Sequence, residues 1–235
     1  MTISAAPERP RSPQAADWAL AHGISSMTTA GLAEMLGAPP AQVPQRMAAP
    51  KRRGEWATPG RGLWIPVPPE FRAWGGLPAT EFVDALMAHL GARYYVGWLA
   101  AAALHGAAHR APQVTRVATS TLVRGRRTGR ARLTFHQRSR IDQLPTEVKT
   151  GRMGRFRVST PEVTALDVAS DLALAGGLNN AATVISDLAR EHGLDGSTLA
   201  GLAPLFADAA VRRVGWIVEQ FGGQRLDSLA GRVGE

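Results

Sequence analysis

Helix-stopping residues divide the first 66 residues into segments that are too short for anything but a small helical unit. Gly23 and Gly37 each follow a short amphipathic stretch, and Pro39-Pro40 opens a third one. Glycine suits the left-handed backbone that closes a helix, and proline is favoured in a helix's first turn. The third helix is predicted from about residue 40 to residue 48, and we expect Pro50 to end it.

Two β-prone runs, Trp56-Ala57-Thr58 and Leu63-Trp64-Ile65, flank the turn Pro59-Gly60-Arg61-Gly62. Short strands around a Pro-Gly turn predict a hairpin. Three short helices followed by a hairpin are typical of a winged helix-turn-helix, which inserts its third helix into the major groove of DNA. The predicted organisation is a disordered arm over 1–13, the winged helix-turn-helix over 14–67, a Pro-rich linker over 68–79 and a C-terminal α/β domain over 80–235.

The third predicted helix has two chemically different faces. Val43 and Met47 are spaced to point inward, whereas Gln42, Gln45 and Arg46 share the outer face. Glutamine can bond to adenine and arginine to guanine, whereas basic side chains near the helix would meet phosphates. The predicted DNA-binding residues are Thr29, Gln42, Gln45, Arg46, Lys51, Arg52, Arg53 and Arg61. The alternative is a degenerate winged helix with solvated charges, in a module that binds proteins.

The rest of the chain predicts a mixed α+β fold. Strands are expected at 114–119, 121–124, 131–136 and 155–159, and they form a mainly antiparallel sheet. Helices are expected at 80–90 and 96–107, and then from residue 161, at 180–191, at 197–206 and at 209–221. The complete fold is therefore a winged helix-turn-helix followed by a larger α/β domain that ends in helices.

Positive charge is concentrated in the middle of the chain. The net charge is +8, and residues 110–157 alone hold thirteen Lys and Arg against two acids. Such a segment attracts polyanions. A second nucleic-acid surface is predicted from Arg124, Arg126, Arg127, Arg130, Arg132, Arg138 and Arg140. A solvated hairpin in an arginine-rich chain is the open alternative.

Other features of the sequence limit the cellular compartments in which we expect the protein. The chain has no cysteine, which excludes disulfides and thiolate metal sites and fits a reducing environment. The start carries no apolar stretch of a signal peptide, and no apolar run approaches the roughly 20 residues of a membrane helix. We therefore expect a cytoplasmic protein with no membrane partner.

Two sequence patterns are of kinds that occur in metal-dependent enzymes. Glu147-Val148-Lys149 has the Glu-x-Lys form of many metal-dependent nucleases, but Asp142 lies too near in sequence to come from a separate strand. His105 and His109 have helical metal-ligand spacing without an apparent third ligand. We expect no enzyme activity, no cofactor and no metal, and we keep a nucleic-acid-processing enzyme as the alternative.

Three motifs resemble the AbiEi-type antitoxins of type IV toxin–antitoxin systems. The first is Arg61-Gly62-Leu63-Trp64, at the end of the wing. The others are Gly97-Trp98-Leu99-Ala100-Ala101-Ala102-Ala103-Leu104-His105-Gly106 and Thr160-Pro161-Glu162-Val163-Thr164-Ala165-Leu166-Asp167. The resemblance spans about residues 14 to 220, and it departs where Pro50 and the Pro-rich linker fall and where Val163 replaces the family's arginine.

The resemblance implies a repressor of its own operon that binds double-stranded DNA. It also implies antagonism of a nucleotidyltransferase-like toxin, which in that family need not involve direct contact. No small-molecule cofactor is implied.

Overall fold

The computed structural model describes residues 10–108, 112–227 and 229 and divides the chain into two compact units. The first unit holds the described residues up to Gly91 together with Arg126–Arg132 and Thr150–Arg155, and the second holds the remainder. Most of the predicted arm lies outside the described residues, and Ser12–Gln14 form a 3-10 turn. The predicted mixed α+β class, with a mainly antiparallel sheet and C-terminal helices, is confirmed.

The first unit combines short helices with a three-stranded antiparallel sheet of order β1-β3-β2. In chain order its elements are α1 (Ala15–Ala21), β1 (Met27–Thr28), α2 (Thr29–Leu36), α3 (Val43–Arg46), α4 (Ala48–Arg52), β2 (Trp56–Gly60), β3 (Leu63–Pro66), α5 (Pro69–Ala73) and α6 (Val83–His89), with 3-10 turns at Pro40–Gln42 and Ala79–Glu81. The predicted Pro-rich linker therefore contains a helix, and the helix predicted over 80–90 lies in this unit.

Capping residues place the ends of the second helix. The Thr28 hydroxyl accepts a hydrogen bond from the Gly31 amide at 3.1 Å, which satisfies one of the free amides of the first turn. Gly37 ends α2 with φ of 59°, in the left-handed region that favours glycine. The predicted stop at Gly37 is confirmed.

The prediction that Pro50 ends the third helix is wrong. The helix breaks at Met47, between α3 and α4, and α4 then continues to Arg52. The Lys51 amide donates to the Met47 carbonyl at 3.0 Å and spans the break. Pro50 lacks only the backbone hydrogen bond that its amide would donate to the Arg46 carbonyl. Because α3 already ends at Arg46, the loss of that bond does not stop the chain from continuing as α4. Val43, Met47 and Pro50 are all buried, so the inner face is as predicted.

After Gly91 the chain builds the second unit and two hairpin tips that belong to the first. The elements are β4 (Tyr94–Val96), α7 (Trp98–Leu104), β5 (Thr115–Thr119), β6 (Arg126–Thr128), β7 (Ala131–Gln137), β8 (Thr146–Thr150), β9 (Arg155–Ser159), α8 (Pro161–Ser170), α9 (Leu178–His192), α10 (Gly196–Leu202) and α11 (Asp208–Ile217), followed by a π-helical turn at Val218–Gly222. Strand order in the second unit is β7-β5-β4-β9-β8, with parallel pairing at β4–β9 and β5–β7.

The structure differs from the sequence predictions for strands and helices at several points in this region. The helix predicted over 96–107 starts only at Trp98, because Tyr94–Val96 form a strand between β5 and β9. The strand predicted over 121–124 is absent, and β6 begins two residues later. Strand β8 was not expected. Short strands depend for their stability on the strands with which they pair. Local β propensity therefore predicts their positions poorly.

The core of the second unit lies mainly among its C-terminal helices. Helix α8 is buried along most of its length and packs against α7, α9 and α11. Its Asp167 is fully buried within that core. None of the described helices is long and apolar enough to cross a membrane.

Candidate nucleic-acid interface

The predicted outer face of the third helix is exposed. Gln42, Gln45 and Arg46 are all exposed, on the side opposite the buried Val43 and Met47. Arg46 Nη2 donates to Gln42 Oε1 at 2.9 Å, because residues four apart are neighbours on a helix. The Arg46 and Gln42 side chains therefore contact each other on the outer face.

The predicted hairpin is present, as β2 and β3, and the second helix holds its end. The Gly62 carbonyl accepts from the Thr29 amide at 2.9 Å, and Trp64 Nε1 donates to Thr29 Oγ1 at 3.0 Å. His89 Nε2 donates to the Arg61 carbonyl at 2.9 Å. Thr29, predicted to contact DNA, therefore also positions the hairpin, while the Arg61 side chain remains exposed.

The predicted third helix corresponds to α3 and α4 in the structure. A groove of about 890 Å³ runs between these helices and the β2–β3 hairpin, and we call it the wing groove. Pro44 and Ala48 line it from the helix side, and residues 58–62 line it from the hairpin. Its charged lining residues are Lys51, Arg52, Arg61 and Arg126, all basic. Concave surfaces of one charge concentrate the field and attract oppositely charged ligands.

A second groove of about 540 Å³, the hairpin groove, shares Lys51, Arg52 and Thr58 with the wing groove. Its other charged lining residues are Arg53, Arg72 and Arg127. Arg53 pairs with Glu55 at 2.7 Å, and that hydrogen bond raises the pKa of Arg53. Arg72 pairs with Asp17 at 2.7 Å. Within the described residues no ion pair engages Lys51, Arg52 or Arg127.

The residues of the predicted second basic surface are divided between the two units. Arg126, Arg127, Arg130 and Arg132 belong to the first unit, whereas Arg124, Arg138 and Arg140 belong to the second. Arg130 donates to the Trp74 carbonyl at 3.3 Å, and Arg140 donates to the Pro204 carbonyl at 2.9 Å. Arg138 pairs with the buried Asp167. Whether any of these arginines binds nucleic acid stays a prediction.

The Glu-x-Lys pattern does not build a nuclease site in the described residues. Glu147 and Lys149 lie on β8, where Lys149 Nζ is 3.9 Å from Glu147 Oε2 and also donates to the Leu104 carbonyl at 3.1 Å. Asp142 lies in a 3-10 turn and pairs with Arg93 at 2.7 Å. No cluster of three potential metal ligands occurs in the part of the chain that the structure describes.

The histidine pair does not form a metal site in these residues either. His109 lies outside the described residues. His105 is buried, and its Nε2 donates to the Ser159 carbonyl at 2.7 Å. Burial lowers the pKa of His105, which keeps the ring neutral and suits a structural donor.

Sequence reasoning missed how Arg126 and Arg127 are placed. Both line grooves formed by residues 29–77, more than 45 positions away in the chain. Only their charge was visible in the sequence, because a groove assembled from distant segments leaves no local periodicity.

The chain is similar to a known protein family and to a solved structure. Residues 95–219 match the family model of the AbiEi antitoxin C-terminal domain. The fold is similar to the crystal structure of the RV2827C protein from Mycobacterium tuberculosis, with a TM-score of 0.63 and 15% sequence identity over 100% of this chain and 85% of that one. Comparison with curated proteins gives no match. At this identity the structural likeness concerns the fold alone.

Proposed function

Because the chain belongs to the AbiEi antitoxin family, and so acts as an antitoxin in a toxin–antitoxin system, we propose that its first unit binds duplex DNA and represses its own operon. In this proposal the first unit is a winged helix-turn-helix. α2 and α3–α4 form the helix-turn-helix, and β2–β3 form the wing.

The observation that carries this proposal is the pairing of an exposed polar helix face with a basic groove beside it. A major groove about 12 Å wide accepts one helix. Gln42, Gln45 and Arg46 present side chains that can read adenine and guanine edges. The buried Val43 and Met47 fix which side of the helix faces outward.

The wing groove would contribute phosphate contacts. Lys51 and Arg52 extend from the end of α4, and Arg61 extends from the wing. Contacts to phosphate set position and affinity but carry no sequence information. Arg61 can meet a phosphate or enter the minor groove, where arginine is a common ligand.

A binding assay on the DNA upstream of the protein's own gene tests the proposal. The full chain should bind a fluorescent duplex of that sequence more tightly than a scrambled duplex of equal length, as measured by fluorescence anisotropy at moderate salt. A Lys51→Gln/Arg52→Gln variant should bind both duplexes more weakly. Absence of wild-type binding to either duplex would contradict the proposal.

The toxin partner is proposed to be nucleotidyltransferase-like. Expression of the chain should restore growth to cells that produce such a toxin from the neighbouring gene. If antagonism needs no DNA binding, the Lys51→Gln/Arg52→Gln variant should restore growth equally while failing to repress the operon. Failure of the wild-type chain to restore growth would contradict this pairing.

A further inference from the structure

We infer that Arg126 and Arg127, on one side of the hairpin tip formed by Arg126–Arg132, complete the DNA-binding surface of the first unit, with Arg127 holding a phosphate of the same duplex that the third helix reads. This inference rests on the proposed function and deepens it. It assigns a DNA contact to a segment about 65 residues beyond the wing in sequence, and it assigns none to Arg124, Arg132, Arg138 or Arg140.

The hairpin tip is attached to the first unit by close backbone packing. Gly129 has φ of 58°, and a Cβ built on it would lie 2.6 Å from the Gly75 carbonyl oxygen and 3.3 Å from the Gly76 Cα. Real Cβ atoms do not approach backbone atoms that closely, so only glycine fits this contact. Arg130 adds a hydrogen bond from its Nη1 to the Trp74 carbonyl at 3.3 Å.

Arg126 joins the hairpin tip to the wing. Its Nη1 donates to the Pro59 carbonyl at 3.1 Å, and it lines the wing groove beside Gly60. Its Nε is buried and has no hydrogen-bond partner among the described residues. We therefore regard Arg126 as a positioning residue that fixes the wing and adds positive charge at the wall of the groove.

Arg127 is placed differently, because its side chain is exposed and lines the hairpin groove. That groove shares Lys51, Arg52 and Thr58 with the wing groove, so the two form one continuous basic path past the end of α4. Among the described residues no acidic side chain lines either groove, although Glu55 and Asp17 pair with the lining Arg53 and Arg72. Lys51, Arg52 and Arg127 make no ion pair among the described residues, and such a row of cations suits a polymer with regularly spaced negative charges, as the DNA backbone is.

The occupant we assign is the duplex backbone rather than an acidic protein segment, because α3 and α4, which follow the exposed Gln42, also line the path through Pro44, Ala48, Lys51 and Arg52. One strand can then be held by Lys51, Arg52 and Arg127 while the helix reads base edges. The phosphate contact adds to affinity without adding sequence preference.

The test compares Arg127→Gln with Arg132→Gln. Arg132 is an exposed arginine of the same hairpin tip that lines neither groove, so it controls for the loss of one charge. Affinity for the upstream duplex and for a scrambled duplex is measured between 50 and 200 mM salt. Arg127→Gln should weaken both about tenfold and reduce the slope of log affinity against log salt by about 0.9, whereas Arg132→Gln should leave the slope unchanged.

A second variant tests the placement without altering charge. Gly129→Ala should detach the hairpin tip and reduce the salt slope as Arg127→Gln does. Circular dichroism should show that the second unit of this variant is still folded. Equal salt slopes for Arg127→Gln and Arg132→Gln would overturn the inference and indicate a diffuse charge effect. Wild-type binding with an unaffected Arg127→Gln variant would overturn this inference alone, whereas absence of wild-type binding would overturn the proposed function as well.

Discussion

Arg138 donates a hydrogen bond from Nη2 to Oδ1 of Asp167, a carboxylate that is fully buried in the second unit. The Arg138 guanidinium lies 5.6 Å from the centroid of the Trp98 ring and 4.9 Å from that of Phe206. Asp167 Oδ2 accepts no hydrogen bond from the described residues. Burial raises the pKa of Asp167 to about 6, although Arg138 and the Tyr95 hydroxyl act to lower it. The buried charge is therefore only partly compensated.

This raised pKa predicts how stability depends on pH. Asp167 holds its proton more tightly in the folded chain than in the unfolded chain, where the pKa is near 3.8. Its contribution to stability is therefore complete below about pH 4 and is lost as pH rises through about 6. At 1.36 kcal/mol per pKa unit the loss is about 3 kcal/mol.

Asp167→Asn cannot titrate and removes this contribution. Urea unfolding between pH 4 and pH 7 should show a smaller fall in the free energy of unfolding for Asp167→Asn than for the wild type. Measuring above pH 4 avoids the titration of Asp195, whose pKa is lowered to about 2 by hydrogen bonds from Thr198 and Ser197. Parallel curves for the two proteins would contradict the prediction.

Removing Arg138 should be more damaging than removing both partners. Arg138→Met leaves the Asp167 carboxylate buried without its cation, which typically costs about 3–5 kcal/mol. The double variant Arg138→Met/Asp167→Asn should recover much of that loss in urea unfolding at pH 7. If the double variant is no more stable than Arg138→Met, the ion pair is not the cause.

Gly97 should tolerate no side chain. A Cβ at this position would lie 2.8 Å from Asp167 Oδ2 and 2.9 Å from Tyr95 Cε2, and both neighbours are buried. Gly97→Ala should therefore lower the free energy of unfolding by about 1–3 kcal/mol. Gly201→Ala is the matched control, because nothing lies within 4 Å of its added Cβ. The control lies in α10 and should be neutral or stabilising by up to about 1 kcal/mol.

The cap of α2 should contribute measurably to the first unit. Thr28→Ala removes the hydroxyl that accepts from the Gly31 amide and should cost about 1 kcal/mol in thermal or urea unfolding. Thr28→Ser retains a hydroxyl at this position and should stay close to the wild type. Equal losses in both variants would point to the methyl group instead of the cap.

Arg46 and Arg52 should affect DNA binding in different ways. Arg46→Ala should relax the preference at one base pair by about 1–3 kcal/mol while changing affinity for scrambled DNA little. Arg52→Ala should weaken all sequences similarly and lower the salt slope by about 0.9. Binding to a panel of single-base variants measures both effects. Similar behaviour of the two variants would mean that the third helix does not lie in the major groove of DNA as proposed.

Local rules predicted much of the first unit. The stop at Gly37, the inward Val43 and Met47, and the hairpin around Pro59-Gly60 are all present. They follow from residues close in sequence, because backbone preference and helical spacing act over a few positions. Pro50 is the exception, since its effect depended on α3 already ending at Arg46.

The second unit was predicted less well, for a physical reason. Strand β4 has only three residues and exists because β5 and β9 lie on either side of it. The burial of Asp167 likewise depends on the packing of α8 among other helices. Pairing and burial of this kind depend on partners far away in the sequence, so local patterns do not reveal them.

By itself the sequence determined where the short helices stop, which side of the third helix faces outward and that the middle of the chain is strongly basic. Only the tertiary structure decided which basic residues share a groove. It placed Arg126 and Arg127 beside Lys51 and Arg52 and paired Arg138 with Asp167. Charge is a property of each residue, whereas its neighbours are set by contacts between distant segments that form only when the chain folds.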